Sequence, residues 1–320
     1  MFLGIQSVLA AIITFFMMVY GLIAGVNFND TVKAYKANVS SVAAYENTIE
    51  TAVPQTDIYG MIKGHFESEL PAGKTEKKVI VLGYDGGRAD ALSLLDDSVD
   101  ASAVNYLVST GGTAQIGYCG GVNYPAFNKQ DTSTAPGWAS ILTGQWADVT
   151  GVTGNSVPKS NDHLSLLTSL VEDQIIDDSA FYVSWNGHFM DEDSTYINEK
   201  QYIADKNLDV TFLDADDDNG TFASTLADVQ NADCTDFIFT IFEYPDHAGH
   251  DTGFCIENPE YAAAFKENDA QCKLIIDAIE SRETYETEDW LIILTSDHGG
   301  YNTGHGFLTL QERMTFIVAR

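Results

Sequence analysis

The chain has 320 residues, 47 acidic against 16 basic, for a formal net charge of −31. Sixteen cations spread among 47 anions leave no wide basic face, which argues against binding extended nucleic acid. With 45% apolar and 11% aromatic residues, the composition also sets aside a charge-driven disordered chain, because there is enough hydrophobic surface for a packed core.

Residues Phe2 to Gly25 carry no charge. As a helix they would span roughly 36 Å, against a hydrocarbon core of about 30 Å. Residues 1–26 therefore read as a transmembrane signal anchor. A cleaved signal peptide is the rival, but it wants a basic start and a shorter apolar region than this segment has. Lys33 and Lys36 after the span weakly favour a cytoplasmic domain. Four cysteines and Asn-x-Ser/Thr triplets at Asn29, Asn38 and Asn219 favour an exported one, so the expectation is a membrane-anchored protein whose main domain is extracytoplasmic. Residues 27–77 are polar and broken by Pro54, Gly60, Pro71 and Gly73. They read as a stalk or a packed prelude with a helix over Thr31 to Ala52.

After Lys78 the pattern becomes short apolar runs separated by amphipathic stretches, the pattern of an α/β domain over 78–320 with a largely parallel sheet. Strands are predicted at Val79–Tyr84, Ala114–Tyr118, Phe181–Ser184, Phe237–Phe242, Leu291–Thr295 and Thr315–Ala319. Helices are predicted at Leu164–Glu172, Thr221–Val229 and Tyr261–Ser281. Asp214, Asp216, Asp218 and Gly220 echo a calcium loop, but the twelfth position is Thr225 rather than a bidentate Glu, so a solvated acidic loop is the better reading. Cys255 with Cys272 and Cys119 with Cys234 could form two bridges, with free thiols the equal alternative.

Three of the most apolar runs end in metal-ligand residue types. One ends at Asp85, a second continues to Asp246 and His250, and a third to Asp297, His298 and His305. Ligands of open α/β sheets bind outside the carboxyl ends of strands, and carboxylates with imidazoles suit zinc first, then manganese or iron. Each residue alone could be a turn former or a satisfied polar group; their recurrence on three strand ends is harder to explain that way. In DTSTAPGWASILTG, Pro136 suits a first helical turn, which places Thr134 at a helix start where backbone N–H groups favour an anion and a hydroxyl could act as nucleophile. A plain capping role for Thr134 or Ser133 is the alternative at that point.

Tyr84-Asp85-Gly86, Thr134-Ala135-Pro136 with Ser140-Ile141-Leu142-Thr143-Gly144, Asp246-x-x-Gly249-His250, Ser296-Asp297-His298-Gly299 and Gly304-His305-Gly306 occur in this order. Together they resemble the alkaline phosphatase superfamily, and within it the type I phosphodiesterase/nucleotide pyrophosphatase branch. The resemblance runs from about Lys78 to the C-terminus. It implies a doubly wound, alkaline phosphatase-like sheet flanked by helices, with two divalent metal ions, zinc foremost and manganese next. Asp85, Thr134, Asp297 and His298 would hold one ion; Asp246, His250 and His305 would hold the other. Thr134 would be the nucleophile, passing through a phospho- or nucleotidyl-threonine to hydrolyse diester or pyrophosphate bonds of small phosphate esters.

Two departures qualify the resemblance. Gly137 stands where the branch usually has an Asn that helps bind a phosphoryl oxygen, so that contact must come from elsewhere, with the Ala135 N–H, Asn123 or Asn186 as possible donors. Thr150-Gly151 replaces a common His-Gly. His247 lies inside a motif but is not a motif position, and Trp138, Tyr124 and Trp185 could line a leaving-group pocket or simply be core. A sulfatase would need Cys or Ser at the nucleophile position. A phosphomonoesterase or phosphotransferase would share all the metal positions, and an inactive membrane-tethered binding protein is the alternative outside enzymes.

Overall fold

The computed structural model describes residues 52–95, 98–120, 130–307 and 309–320. The expected N-terminal anchor, the triplets at Asn29 and Asn38, all but the last residue of the helix expected over residues 31–52, and Asn123 and Tyr124 lie outside the described residues. Among the described residues, no helix is long and apolar enough to cross a membrane.

Among the described residues eight strands form one sheet: β1 (Val53–Pro54), β2 (Glu76–Tyr84), β3 (Thr113–Tyr118), β4 (Ser179–Val183), β5 (Val210–Asp214), β6 (Phe237–Phe242), β7 (Glu288–Thr295) and β8 (Met314–Ala319). Their order is β1-β3-β8-β7-β2-β6-β4-β5. β8 runs antiparallel to β3 and β7, and every other neighbouring pair is parallel. The sheet is therefore mixed, with helices on both faces.

The helices are α1 (Asp57–Glu67), α2 (Ala103–Ser109), α3 (Thr134–Thr143), α4 (Ala147–Thr150), α5 (Leu166–Glu172), α6 (Ile197–Lys206), α7 (Asp218–Val229), α8 (Tyr244–Thr252), α9 (Pro259–Glu280) and α10 (Leu310–Arg313). β2 explains the layering. From Val79 onward every residue is buried, so the strand reads as a continuous apolar run, yet its side chains alternate between the sheet faces. Ile80, Leu82 and Tyr84 pack with Phe265, Cys272, Ile275, Ile276 and Ile279 of α9. Val79 and Val81 pack with Ile58 and Ile62 of α1, Trp138 and Ile141 of α3, and Leu167 and Leu170 of α5.

The long apolar strands and helices match their expected positions to within a few residues. Not anticipated were the two-residue β1, the short helices α2, α4 and α10, helix α1, the edge strand β5, whose residues are alternately half-buried and exposed, and helices α6 and α8, which carry little apolar periodicity. The acidic stretch expected to be solvated is partly structural. Asp217 caps α7 by accepting from the Gly220 N–H at 2.7 Å, and buried Asp218 accepts from Ser184 Oγ at 2.7 Å and from the Glu243 N–H at 2.8 Å. Of the two alternatives for the cysteines the free thiols hold: all four are free, with Cys119, Cys234 and Cys272 buried and Cys255 half-exposed beside Glu257.

Candidate metal centre

Neighbouring strands β7, β2 and β6 end at one edge of the sheet, with Gly83 opposite Thr295 and Tyr84 opposite Phe242. The chain segments leaving them deliver Asp85 directly after β2, Asp297 and His298 just after β7, and Asp246 and His250 from α8, which starts two residues past β6. In α8, Asp246 and His250 are four residues apart and so share a face. His305 arrives on the loop after β7, and α3 brings Thr134 to the same point as its first residue. All seven residues singled out from the sequence thus meet at one place.

Around His298 the contacts form a tight set. Its Nε2 lies 3.5 Å from Asp85 Oδ1, 3.3 Å from Asp297 Oδ2 and 3.4 Å from Thr134 Oγ1, and Thr134 Oγ1 lies 3.3 Å from Asp85 Oδ1. Oxygen and nitrogen ligands about 2.0 Å from a tetrahedral ion sit about 3.3 Å from one another, so these spacings suit one small cation. A second set joins it through Asp246: His250 Nε2 is 3.3 Å from Asp246 Oδ2, His305 Nε2 is 3.6 Å from Asp246 Oδ1, and the two imidazole nitrogens are 3.1 Å apart. Asp246 is also within reach of the first set, close to Asp85 and His298.

The imidazoles are aimed by the main chain. His298 Nδ1 is 2.7 Å from the Gly299 carbonyl, His250 Nδ1 is 3.0 Å from that of Thr303, and His305 Nδ1 is 3.0 Å from that of Thr132. A carbonyl only accepts, so each Nδ1 carries hydrogen and each Nε2 presents a lone pair to the centre, as metal-bound histidines do. Two lone pairs facing one another at 3.1 Å need a proton or a cation between them. Asp246 Oδ1 and Asp297 Oδ2 are buried without a hydrogen-bond partner, which again leaves acceptors converging on a point with no donor. Carboxylate and imidazole donors, buried orphan oxygens and preset tautomers together fit divalent cations.

Without a cation, protons take that place. Burial and then the neighbouring Asp246 push Asp85 well above the usual carboxylate range; burial, with Asp85 and Asp246, does the same to Asp297. Burial also pushes Asp246 up, but hydrogen bonding to His250 and the nearby imidazoles outweigh it and hold Asp246 low. In return the Asp246 hydrogen bond lifts His250 to about 9, while burial lowers His298 to about 3 and lowers His305. A cation binding here would displace protons.

Several supporting residues were not foreseen. Trp138, considered for a leaving-group pocket, is fully buried and donates its Nε1–H to Asp85 Oδ2 at 2.7 Å, so it orients a carboxylate. Its ring fits because Gly83 has no side chain; a Cβ there would lie 2.5 Å from the indole. Gly137 answers a similar need, since a Cβ would come within 2.8 Å of Asp297 Cβ and 2.9 Å of its carbonyl oxygen. The Ala135 N–H, one of the proposed phosphoryl donors, is instead taken by Asn155 Oδ1 at 3.0 Å. Asn155 lies in a turn whose following residues are fixed by the fully buried ion pair of Lys159 with Glu199, 2.6 Å long. No periodic pattern marks such a residue; only the fold brings it to α3. Glu243, fully buried, has its pKa raised far by burial and then by Asp85. Asn186 and His247 are exposed, and Trp185 is half-buried against Ala135, Ala139 and Val152.

A family model described as type I phosphodiesterase/nucleotide pyrophosphatase matches residues 79–307. No curated protein matches the chain significantly. Among solved structures, murine ectonucleotide pyrophosphatase/phosphodiesterase 5 is similar at 18% identity, covering 69% of this chain and 57% of its own, with a TM-score of 0.44. This chain thus spans little more than half the length of that protein. The alkaline phosphatase of the Antarctic bacterium TAB5 is similar at 14% identity over 77% of this chain and 91% of its own, with a TM-score of 0.48. BT1596, a 2-O GAG sulfatase, is similar at 13% identity over 77% of this chain and 64% of its own, with a TM-score of 0.52, a likeness of fold.

Proposed function

Because the chain belongs to the type I phosphodiesterase/nucleotide pyrophosphatase family, we propose that it hydrolyses phosphodiester or pyrophosphate bonds of small phosphate esters, with Thr134 as nucleophile. The observation that carries this reading is the position of Thr134. Its hydroxyl is the first side chain of α3, where the N-terminal N–H groups and helix dipole favour an anion, and it lies 3.3 Å from Asp85 and 3.4 Å from His298. Asp85, Thr134, Asp297 and His298 would hold one divalent cation, and Asp246, His250 and His305 the other. When bound, two such ions supply Lewis acidity and about +4 of charge against the phosphoryl oxygens.

The remaining chemistry belongs to the protein. Thr134 Oγ1 attacks phosphorus in line, forming a phospho- or nucleotidyl-threonine as the bond to the leaving group breaks; water then cleaves the Thr134 ester. Asn155 is held through Oδ1 by the Ala135 N–H, next in the chain to Thr134, which leaves its amide Nδ2 to serve as the donor for a non-bridging phosphoryl oxygen. Trp138 fixes Asp85 through the indole N–H, so that carboxylate does not swing when substrate arrives. With residues 1–26 as anchor, the enzyme would act on an extracytoplasmic membrane surface.

The test is direct. Full-length protein is assayed on bis-p-nitrophenyl phosphate and p-nitrophenyl phosphate, with divalent metal measured by mass spectrometry. Thr134→Ala should lower kcat on the preferred ester by about a thousandfold or more while leaving the fold intact. An unchanged rate removes the nucleophile assignment. Preference for the monoester would move the reading to a phosphatase.

A further inference from the structure

Gln55 lies outside the stretch matched by the family model, yet its side chain reaches the middle of the nucleophile helix. It follows β1, is completely buried, and donates from Nε2 to the Gly137 carbonyl at 3.1 Å and to Ser140 Oγ at 2.6 Å. Ser140 Oγ in turn donates to the Gly137 carbonyl at 2.8 Å and accepts from Gln130 Nε2 at 3.1 Å, which fills one donor and two acceptor positions of the hydroxyl. Gln130 Oε1 accepts from the Ala147 N–H at 3.0 Å at the start of α4.

The same helical turn also rests on the metal centre, where the bare Cα of Gly137 abuts Asp297. At the far end of α3, Gly144 caps the helix with φ +66° and is covered by Tyr59 of α1. At this turn the helix is thus fixed by both Asp297 and Gln55, with Tyr59 at its C-terminus. Gly137 is three residues from Thr134, about 4.5 Å along the axis, so displacement at Gly137 moves the hydroxyl almost directly.

We propose that Gln55 is a positioning residue for Thr134 and that residues 52–68, though outside the family-matched segment, belong to the catalytic apparatus by setting how deeply α3 enters the centre. The inference rests on the reading of Thr134 as nucleophile. Removing the amide should cost rate rather than binding, because a misplaced attacking atom loses alignment with phosphorus while the substrate's other contacts persist.

Gln55→Leu keeps the volume and leaves no acceptor stranded: the Gly137 carbonyl retains Ser140, Ser140 retains Gln130, and the buried Gln55 Oε1, which has no partner, disappears. In the full-length chain this variant should lower kcat on bis-p-nitrophenyl phosphate by about ten- to a hundredfold with KM within about twofold and bound metal unchanged. Ser140→Ala should give a similar loss, and the double variant little more than either single one. If Gln55→Leu does not fold, Gln55→Asn, one methylene too short to span the gap, is judged by the same criteria. A folded Gln55 variant with kcat within about twofold of wild type overturns the inference, whatever its melting temperature. Wild-type protein inert on both esters would instead overturn the reading of Thr134.

Discussion

Asn155 and His188 show what single side chains contribute that spacing does not reveal. The seven residues of the centre were legible because each follows an apolar run at a strand end or opens a helix, whereas Asn155 sits in a loop and acts through a backbone contact made across 20 residues. Asn155→Ala should lower kcat/KM on a diester by about ten- to a hundredfold with metal retained, read by steady-state kinetics; an unchanged value would show that Nδ2 never touches substrate. His188 is fully buried, neither ring nitrogen has a hydrogen-bond partner among the described residues, and burial lowers its pKa to about 3. Below an unfolded pKa of about 6.5 the unfolded chain binds a proton that the folded chain refuses, so His188 lowers stability as pH falls from about 6.5 towards 3, by up to about 1.4 kcal/mol per pH unit. His188→Leu should flatten this acid limb in denaturant titrations between pH 5 and pH 7. An identical slope in both proteins would mean that His188 is charged, or solvated, in the fold.

Elements were legible in proportion to how much of them is buried. β2, β6 and β7 were placed within three residues by their apolar stretches, the polar starts Glu76-Lys77-Lys78 and Glu288-Asp289 being the part missed, while β5 alternates only weakly and α8 begins Tyr-Pro-Asp with no apolar stripe. That β8 runs antiparallel between β3 and β7 follows from chain crossings beyond the reach of local patterning. The seating of α3 was equally hidden, since Gly137 looked like a missing Asn. In an exposed helix Gly→Ala gains about 1 kcal/mol. At Gly137 the new Cβ would meet Asp297 at 2.8 Å, so the sign reverses: Gly137→Ala should lower the melting temperature and speed loss of bound metal to a chelator. A more stable, fully loaded variant would show that α3 has room to retreat.

For the whole molecule, the charge of −31 and the centre act on different scales. Two bound cations would set a local positive potential, but beyond a Debye length of about 10 Å a small anion meets the acidic surface first. Raising ionic strength from about 20 to 200 mM should therefore leave kcat/KM for an anionic diester unchanged or raise it; a marked fall would reveal a positive approach path. EDTA should abolish turnover and lower the melting temperature, while far-ultraviolet dichroism persists, because two apolar layers rather than the ions hold the sheet together. Collapse of the dichroism would make the cations part of the fold. The hydrogen bonds that aim His250, His298 and His305 end on carbonyls of Thr303, Gly299 and Thr132, groups that every amino acid carries. Only Thr303, which is exposed, is free to drift in identity without detuning an imidazole; a Cβ at Gly299 would lie 2.1 Å from the Gln311 carbonyl, and buried Thr132 ties down the His305 loop through Oγ1, so descendants of this chain can remodel the rim at position 303 while the two deeper carbonyls stay fixed.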